Sequence, residues 1–243
     1  MRVRIIGPGR AGTSFSLAFD HIGWDVLEHL GKNDKITNAA REVDLVLLTV
    51  PDGMVEDVAK KIEPNQSAVI AHVAGSLTLD VLGSHKRTAS CHPLLTLPNS
   101  SIGKERLLSG AWFAVAGDPI AIEIVEEFGG QSFEVSDSNR VLYHAAACVA
   151  ANHLVVLLGQ VKRLSEIAEV PFEAYMNLIS GAIDSVKILG PDKALTGPAA
   201  RGDRETIESH LAALPKSEIK LYRQLAEAAQ EFATEFISSQ NVN

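Results

Sequence analysis

The chain opens on a short apolar run, residues 3–6, which stops at Gly7 and gives way to a stretch where Phe15, Leu17, Ala18 and Phe19 continue an apolar helical face. Short apolar runs return at 24–27, 45–50, 68–73, 87–92, 112–115 and 132–135, most of them closed by Gly, Pro, Asp or Ser. Helical spacing intervenes over 55–62 and 119–128. This alternation predicts an α/β fold, a doubly wound, mainly parallel sheet. The connection from the second strand to residue 45 has room for one short crossover helix, but not for a helix, a strand and another helix. The usual third strand is therefore expected to be missing.

After residue 136 the strand signals vanish. Helical periodicity covers 138–169, 171–189, 203–214 and 215–238, which divides the chain into a sheet domain, 1–135, and an all-α helical domain, 136–243. In the last helix Ile219, Tyr222, Leu225, Ala229, Phe232 and Phe236 form one packing face. The helix from residue 138 is apolar nearly all round, so it is expected to be enclosed by other helices or by a second subunit, and a homodimer is predicted. Its stretch 141–161 approaches the length of a membrane span, yet His144, Asn152, His153 and Gln160 interrupt it, and a place inside protein is expected.

Composition narrows the classes. With 243 residues, 46% of them hydrophobic, the chain can fill one large core or two modest ones. A net charge of -8 without any basic run argues against nucleic acid as a partner. Cys91 and Cys148 form no CxxC, which suits a reducing, cytoplasmic setting, and the apolar run behind Met1 is too short for a signal peptide.

The candidate chemistry begins at Gly7-Pro8-Gly9-Arg10-Ala11-Gly12, set between a strand and a helix. In that context Gly7 permits the turn, Gly9 lets a pyrophosphate approach the helix N-terminus, and Gly12 allows the helix to pack on the strand. A dinucleotide is the expected cofactor. No carboxylate stands at Leu30, where an NAD site expects one. Lys32 and Asn33, which follow Gly31, suit the 2′-phosphate of NADP, although both are also ordinary turn residues.

Ligands of parallel sheets bind outside the carboxyl ends of the strands. That rule selects Val50 and Pro51 with Thr49 and Asp52, then Gly75 and Ser76 after His72, then His92. One of His72 and His92 is expected to bond backbone locally, His72 for preference, while the other lines the site; no metal is predicted. On the first long helix His144, Cys148 and Asn152 are spaced four apart, and a drift of about 40° per step keeps them on one face. His144 is either a general acid or a hydrogen-bonded core residue. Arg201 lies in the loop Thr196-Gly197-Pro198-Ala199-Ala200-Arg201-Gly202-Asp203, where it would bind a substrate carboxylate or pair with Asp203, itself a plausible helix cap.

These stretches, together with Val50-Pro51-Asp52, Cys91-His92-Pro93-Leu94 and Tyr143-His144-Ala145-Ala146-Ala147, resemble uncharacterised Rossmann-like proteins of the 6-phosphogluconate dehydrogenase C-terminal-like superfamily. Their second half is a helical domain of unknown function. More distantly the chain is similar to ketopantoate reductases, pyrroline-carboxylate reductases and deazaflavin-dependent NADP reductases. The resemblance implies an NADP-linked reductase acting on the carbonyl or imine of a small acid between the two domains, with His144, Asn152 and Arg201 as the acting residues. The lysine that the hydroxyacid branch carries on this helix is absent; Cys148 follows His144, and the next lysine is Lys162. A non-catalytic nucleotide-binding or sensor protein is the alternative.

Overall fold

The computed structural model describes residues 1–240, with side chains as far as residue 234. Its strands β1 (Arg2–Ile6), β2 (Asp25–Val26), β3 (Leu45–Leu48), β4 (Val69–His72), β5 (Thr88–Pro93), β6 (Trp112–Gly117) and β7 (Gln131–Glu134) form one sheet in the order β2-β1-β3-β4-β5-β6-β7. The first five are parallel to one another. β6 runs against β5, and β7 lies parallel to β6. From β1 the chain winds outward to β2 on one side and then to β3 on the other, so the crevice of a doubly wound sheet opens at the carboxyl ends of β1 and β3.

Every residue of β3 and β4 is buried, as expected of strands covered on both faces. Their period of two splits them between two cores. Val3, Ile5, Leu45 and Leu47 join Phe15, Phe19, Phe113 and Phe128 on one face, whereas Ile6, Val46 and Leu48 join Val55, Ile62 and Leu82 on the other. Helices α1 (Arg10–His21), α2 (Val55–Ala59), α3 (Ser100–Leu107) and α4 (Ile120–Glu127) complete this part.

One local expectation is corrected, and one helix appears that the sequence pattern did not predict. No crossover helix forms between β2 and β3; the connection is a series of turns that tucks Ala39, Ala40 and Val43 into the second core. Arg4 Nη1 donates to the Ala39 carbonyl at 2.6 Å and Glu42 takes φ 59°, so the backbone is satisfied and turned without a helix. Helix α3, in contrast, has no apolar stripe to reveal it, since it buries only Gly103 and Leu107. Its legible signal is the N-cap Asn99, whose side chain accepts from Ile102 N at 2.9 Å.

By compactness the chain divides into Met1–His153 and Leu154 onward. The first unit ends with α5 (Arg140–Cys148) and a π-helical turn, Val149–His153, so the expected single helix over 138–169 changes its winding midway. The second unit comprises α6 (Leu154–Ile167), α7 (Phe172–Leu189), α8 (Pro191–Ala194), α9 (Arg204–Ala213) and α10 (Lys216–Gln240). Here Glu218 ties α10 to α6: it accepts from Arg163 Nε at 2.7 Å and Nη2 at 3.0 Å, and from Gln160 Nε2 at 3.1 Å. The Phe236 side chain of the expected α10 face lies outside the described residues. The run Asp137–Ile167 is long and apolar enough to cross a membrane by length and composition, and none of its most apolar window is buried. Enclosure of this run by the chain's own helices is thus not observed.

Candidate active site

The glycine loop is closed toward the sheet and open away from it. Gly7 takes φ 110° and its N–H donates to the Leu30 carbonyl at 2.9 Å, while Thr49 Oγ1, at the end of β3, donates to the Gly7 carbonyl at 2.7 Å. A Cβ on Gly7 would lie 2.9 Å from the Thr49 carbonyl carbon, and one on Gly12 would overlap the Gly7 carbonyl oxygen. Only glycine fits at either place. Around Gly9, however, a Cβ would meet nothing within 4 Å. Gly9 also begins α1 without any side-chain cap, and the first turn of α1 carries no acid. Uncapped N–H groups at the positive end of a helix, with open space before them, fit a pyrophosphate.

The loop after β2 lies against this one, for a Cβ on Gly31 would stand 3.6 Å from Pro8 Cγ. Lys32 and Asn33 are exposed on it. Asp34, which the sequence reading overlooked, folds back so that its Oδ2 accepts from Gly31 N at 2.6 Å. A carboxylate therefore does stand close to the second strand's end, brought there by a turn rather than by the strand.

Beyond the ends of β3, β4 and β5 a second cluster assembles within the same unit. Ser76 Oγ donates to Asp52 Oδ2 at 3.0 Å, joining the segment after Gly75 to the one after Val50 and Pro51. Gly75 is buried, and a Cβ there would lie 2.8 Å from both His144 Cδ2 and His92 Nε2. The two histidine rings meet edge to face, their centroids 5.8 Å apart. His92 Nδ1 is hydrogen-bonded to Tyr143 Oη at 2.7 Å. His72, fully buried, accepts from Ala74 N at its Nδ1 and lies 3.3 Å from the Thr78 carbonyl at its Nε2, so it is the locally bonded histidine of the two, as expected.

Arg140 and Asp52 are the charged groups that act on this cluster. Arg140 is fully buried on α5; its Nε lies 3.3 Å from Asp137 Oδ1, a carboxylate group 71% exposed, and its Nη1 donates weakly to Ser90 Oγ at 3.4 Å. Nη2 is buried without a partner among the described residues. A buried guanidinium so poorly paired leaves net positive potential. Burial first, and then His144, with smaller contributions from Arg140 and His72, push the His92 pKa down to about 4, against an upward pull from Asp52. Burial, with Arg140 adding to it, takes His72 to about 4 as well. Tyr143 is pushed up to about 12 by burial, a shift that Arg140 moderates. Histidine and phenol are thus both neutral over the working range.

Comparison with known proteins agrees with the architecture. Residues 112–229 match the model of a family described as a domain of unknown function, DUF2520. No curated protein matches the chain. Among solved structures, a candidate NADP oxidoreductase from Bacteroides fragilis superposes with a TM-score of 0.76 at 18% identity, covering 95% of this chain and 98% of that one. A protein from Thermotoga maritima gives 0.70 at 22% identity, with coverages of 96% and 98%. The pyrroline carboxylate reductase of Plasmodium falciparum, solved with NADP bound, gives 0.62 at 14%, with coverages of 97% and 98%. Likeness at these identities establishes the shared Rossmann-like fold with its helical C-terminal region.

The structure brings together only part of the sequence-derived set. Gly7, Pro8, Gly9, Arg10, Ala11 and Gly12 form the open loop; Val50, Pro51, Gly75 and Ser76 line the neighbouring strand ends with His144. Asn152 is exposed in the π turn, whose wider winding takes up some of the angular drift from His144. Arg201 belongs to the second unit and is exposed; it does not pair with Asp203, which caps α9 by accepting from Thr206 N at 3.1 Å. Tyr143 and Arg140 were not singled out by the sequence. The only signal for them was polarity at spacing three on an otherwise apolar helix, and that spacing turns both toward β5.

Proposed function

We propose that the protein is an oxidoreductase that binds a nicotinamide dinucleotide, NADP in preference to NAD, and reduces the carbonyl or imine of a small carboxylic acid. The observation that carries this reading is the glycine loop, packed shut against Thr49 and open at Gly9, beside paired histidines at the neighbouring strand ends. The fold shared with reductases supports it. When bound, the dinucleotide supplies the hydride. The chain's own part is to hold the pyrophosphate at the start of α1, to meet a 2′-phosphate with Lys32, and to provide a proton from the cluster at Gly75.

The test is titration with NADPH and NADH, following nicotinamide fluorescence. Tight binding of NADPH and weaker binding of NADH is expected, followed by substrate-dependent oxidation. Binding of neither would sink the reading, and binding without turnover over a wide panel of acids would favour a sensor.

We further propose that a second copy of the chain covers the exposed apolar face of α5 and α6. Val141, Leu142, Val149, Val155 and Val156 are each more than half exposed. Asn152 and His153 on the same run suit a wet protein interface and would be costly in hydrocarbon.

A further inference from the structure

We propose that Tyr143 and His92 form a neutral proton relay, in which His92 Nε2–H protonates the oxygen of a ketone or aldehyde while Tyr143 Oη–H replenishes the ring at Nδ1, so that the enzyme reduces carbonyls rather than imines. The inference rests on the reductase reading and names its substrate class.

The geometry supports it at each end. Tyr143 Oη and His92 Nδ1 are 2.7 Å apart, which leaves Nε2 as the ring atom facing Gly75 and His144. Nε2 makes no hydrogen bond with a described residue. The Tyr143 ring lies between His92 and Phe133 of β7, edge to face with both, at 5.5 Å and 5.7 Å between centroids. Arg140, one turn before Tyr143 on α5, is a cation in search of an anion, with Nη2 unpartnered and Asp137 drawn out into solvent.

The proton balance is complete. The Tyr143 O–H bond breaks as an N–H bond forms at Nδ1, and the Nε2–H bond breaks as an O–H bond forms on the substrate. The hydride has meanwhile turned the carbonyl oxygen into an alkoxide. Tyrosinate remains, opposite Arg140, until solvent delivers a proton to the vacated Nε2 and the Nδ1 proton returns to Tyr143 Oη, which restores the starting tautomer. An alkoxide is far more basic than a phenolate, so it draws this proton even from a tyrosine whose pKa is about 12. An imine behaves differently, because it accepts hydride readily only after its nitrogen is protonated. A histidine held neutral down to about pH 4 is a poor donor for that purpose at neutral pH. The groups that act on His92 are Arg140, Tyr143 and His144 from α5, His72 from β4, and Asp52 beyond β3, and only Asp52 favours its protonation.

Two measurements test the relay. Nitrogen-15 NMR of the cofactor-free protein, with His92 assigned by its loss in His92→Asn, should show a neutral ring bearing its proton on Nε2, unchanged from pH 6 to pH 8. A ring protonated on Nδ1, or titrating within that range, overturns the relay. In turnover, Tyr143→Phe should lower kcat for 2-keto acids by about 100-fold while the Kd for NADPH stays within about twofold, and cyclic imines should be poor substrates of the wild type. Undiminished keto-acid turnover by Tyr143→Phe, or efficient imine reduction, likewise overturns it. Failure of the wild type to bind NADPH sinks the reductase reading instead, whatever the NMR shows.

Discussion

His144 stands over Gly75 so closely that a single methyl group on the glycine would come within 2.8 Å of its ring, and within the same distance of His92 Nε2. Gly75 has an unremarkable φ, so alanine is excluded there by the two rings and not by the backbone. Gly75→Ala should therefore cost about 1–3 kcal/mol of stability by overpacking and displace both rings. Chemical denaturation with a parallel turnover assay would check this; unchanged stability and turnover would mean that the rings are free to move aside.

The glycines of the loop should separate folding from binding. Gly12→Ala drives a methyl into the Gly7 carbonyl and should unsettle the loop and the fold together. Gly9→Ala meets nothing within 4 Å, so its melting temperature should match the wild type while NADPH affinity falls. Equal NADPH affinity in Gly9→Ala and wild type would remove the loop from cofactor binding.

Lys32 and Asp34 pull the cofactor preference in opposite directions. Lys32→Ala should weaken NADPH by about tenfold, roughly 1.4 kcal/mol, with little effect on NADH. Asp34→Ala frees Gly31 N and should weaken NADH more than NADPH. A titration of both variants with both cofactors checks the two assignments: equal loss of NADPH and NADH in Lys32→Ala would remove Lys32 from the 2′-phosphate, and equal loss in Asp34→Ala would remove the carboxylate from the ribose.

The low pKa values of His72 and His92 set an acid limit. Between about pH 6.5 and pH 4 the unfolded histidines bind protons that the folded ones refuse, so stability should fall as pH falls through that window and be fully present above it. Arg140→Met removes one of the charges that keep both rings neutral. It should leave the protein no less stable at pH 7, since the buried cation is poorly paired. With the folded rings protonating closer to their ordinary value, less stability should be lost between about pH 6.5 and pH 4, and the acid limb of kcat/KM that reports His92 should move to higher pH. A smaller acid loss of stability together with a kcat/KM limb at higher pH is the signature to measure, and an unchanged acid profile would remove Arg140 from the control of the rings.

A second copy on α5 and α6 predicts that Leu142→Lys yields a monomer. Leu142 is 72% exposed, so the substitution harms no core of its own chain. Light scattering after gel filtration would check it, and a monomeric wild type would end the proposal.

The order of strands and helices was legible because buried parallel strands are short apolar runs and the helices between them keep a face, as in β3, β4 and α4. Local chemistry was legible too, in Gly7 to Gly12 and the Asp203 cap. Helix α3 escaped, since a helix resting on another through Gly103 needs no apolar stripe. The turns of 31–44 were misread because Arg4, distant in sequence, satisfies their carbonyls. The histidine cluster was half visible. Strand ends named His72, His92 and Gly75, yet which ring bonds backbone, and which bonds Tyr143, depends on the register of β4 with β5 and on where α5 crosses them. Sequence alone determined the residue types at the sheet's carboxyl edge, because each strand ends where its own apolar run ends. Only the tertiary structure decided that Arg140 is buried beside them, because the burial of a charge is a property of what packs around it and not of the helix that carries it.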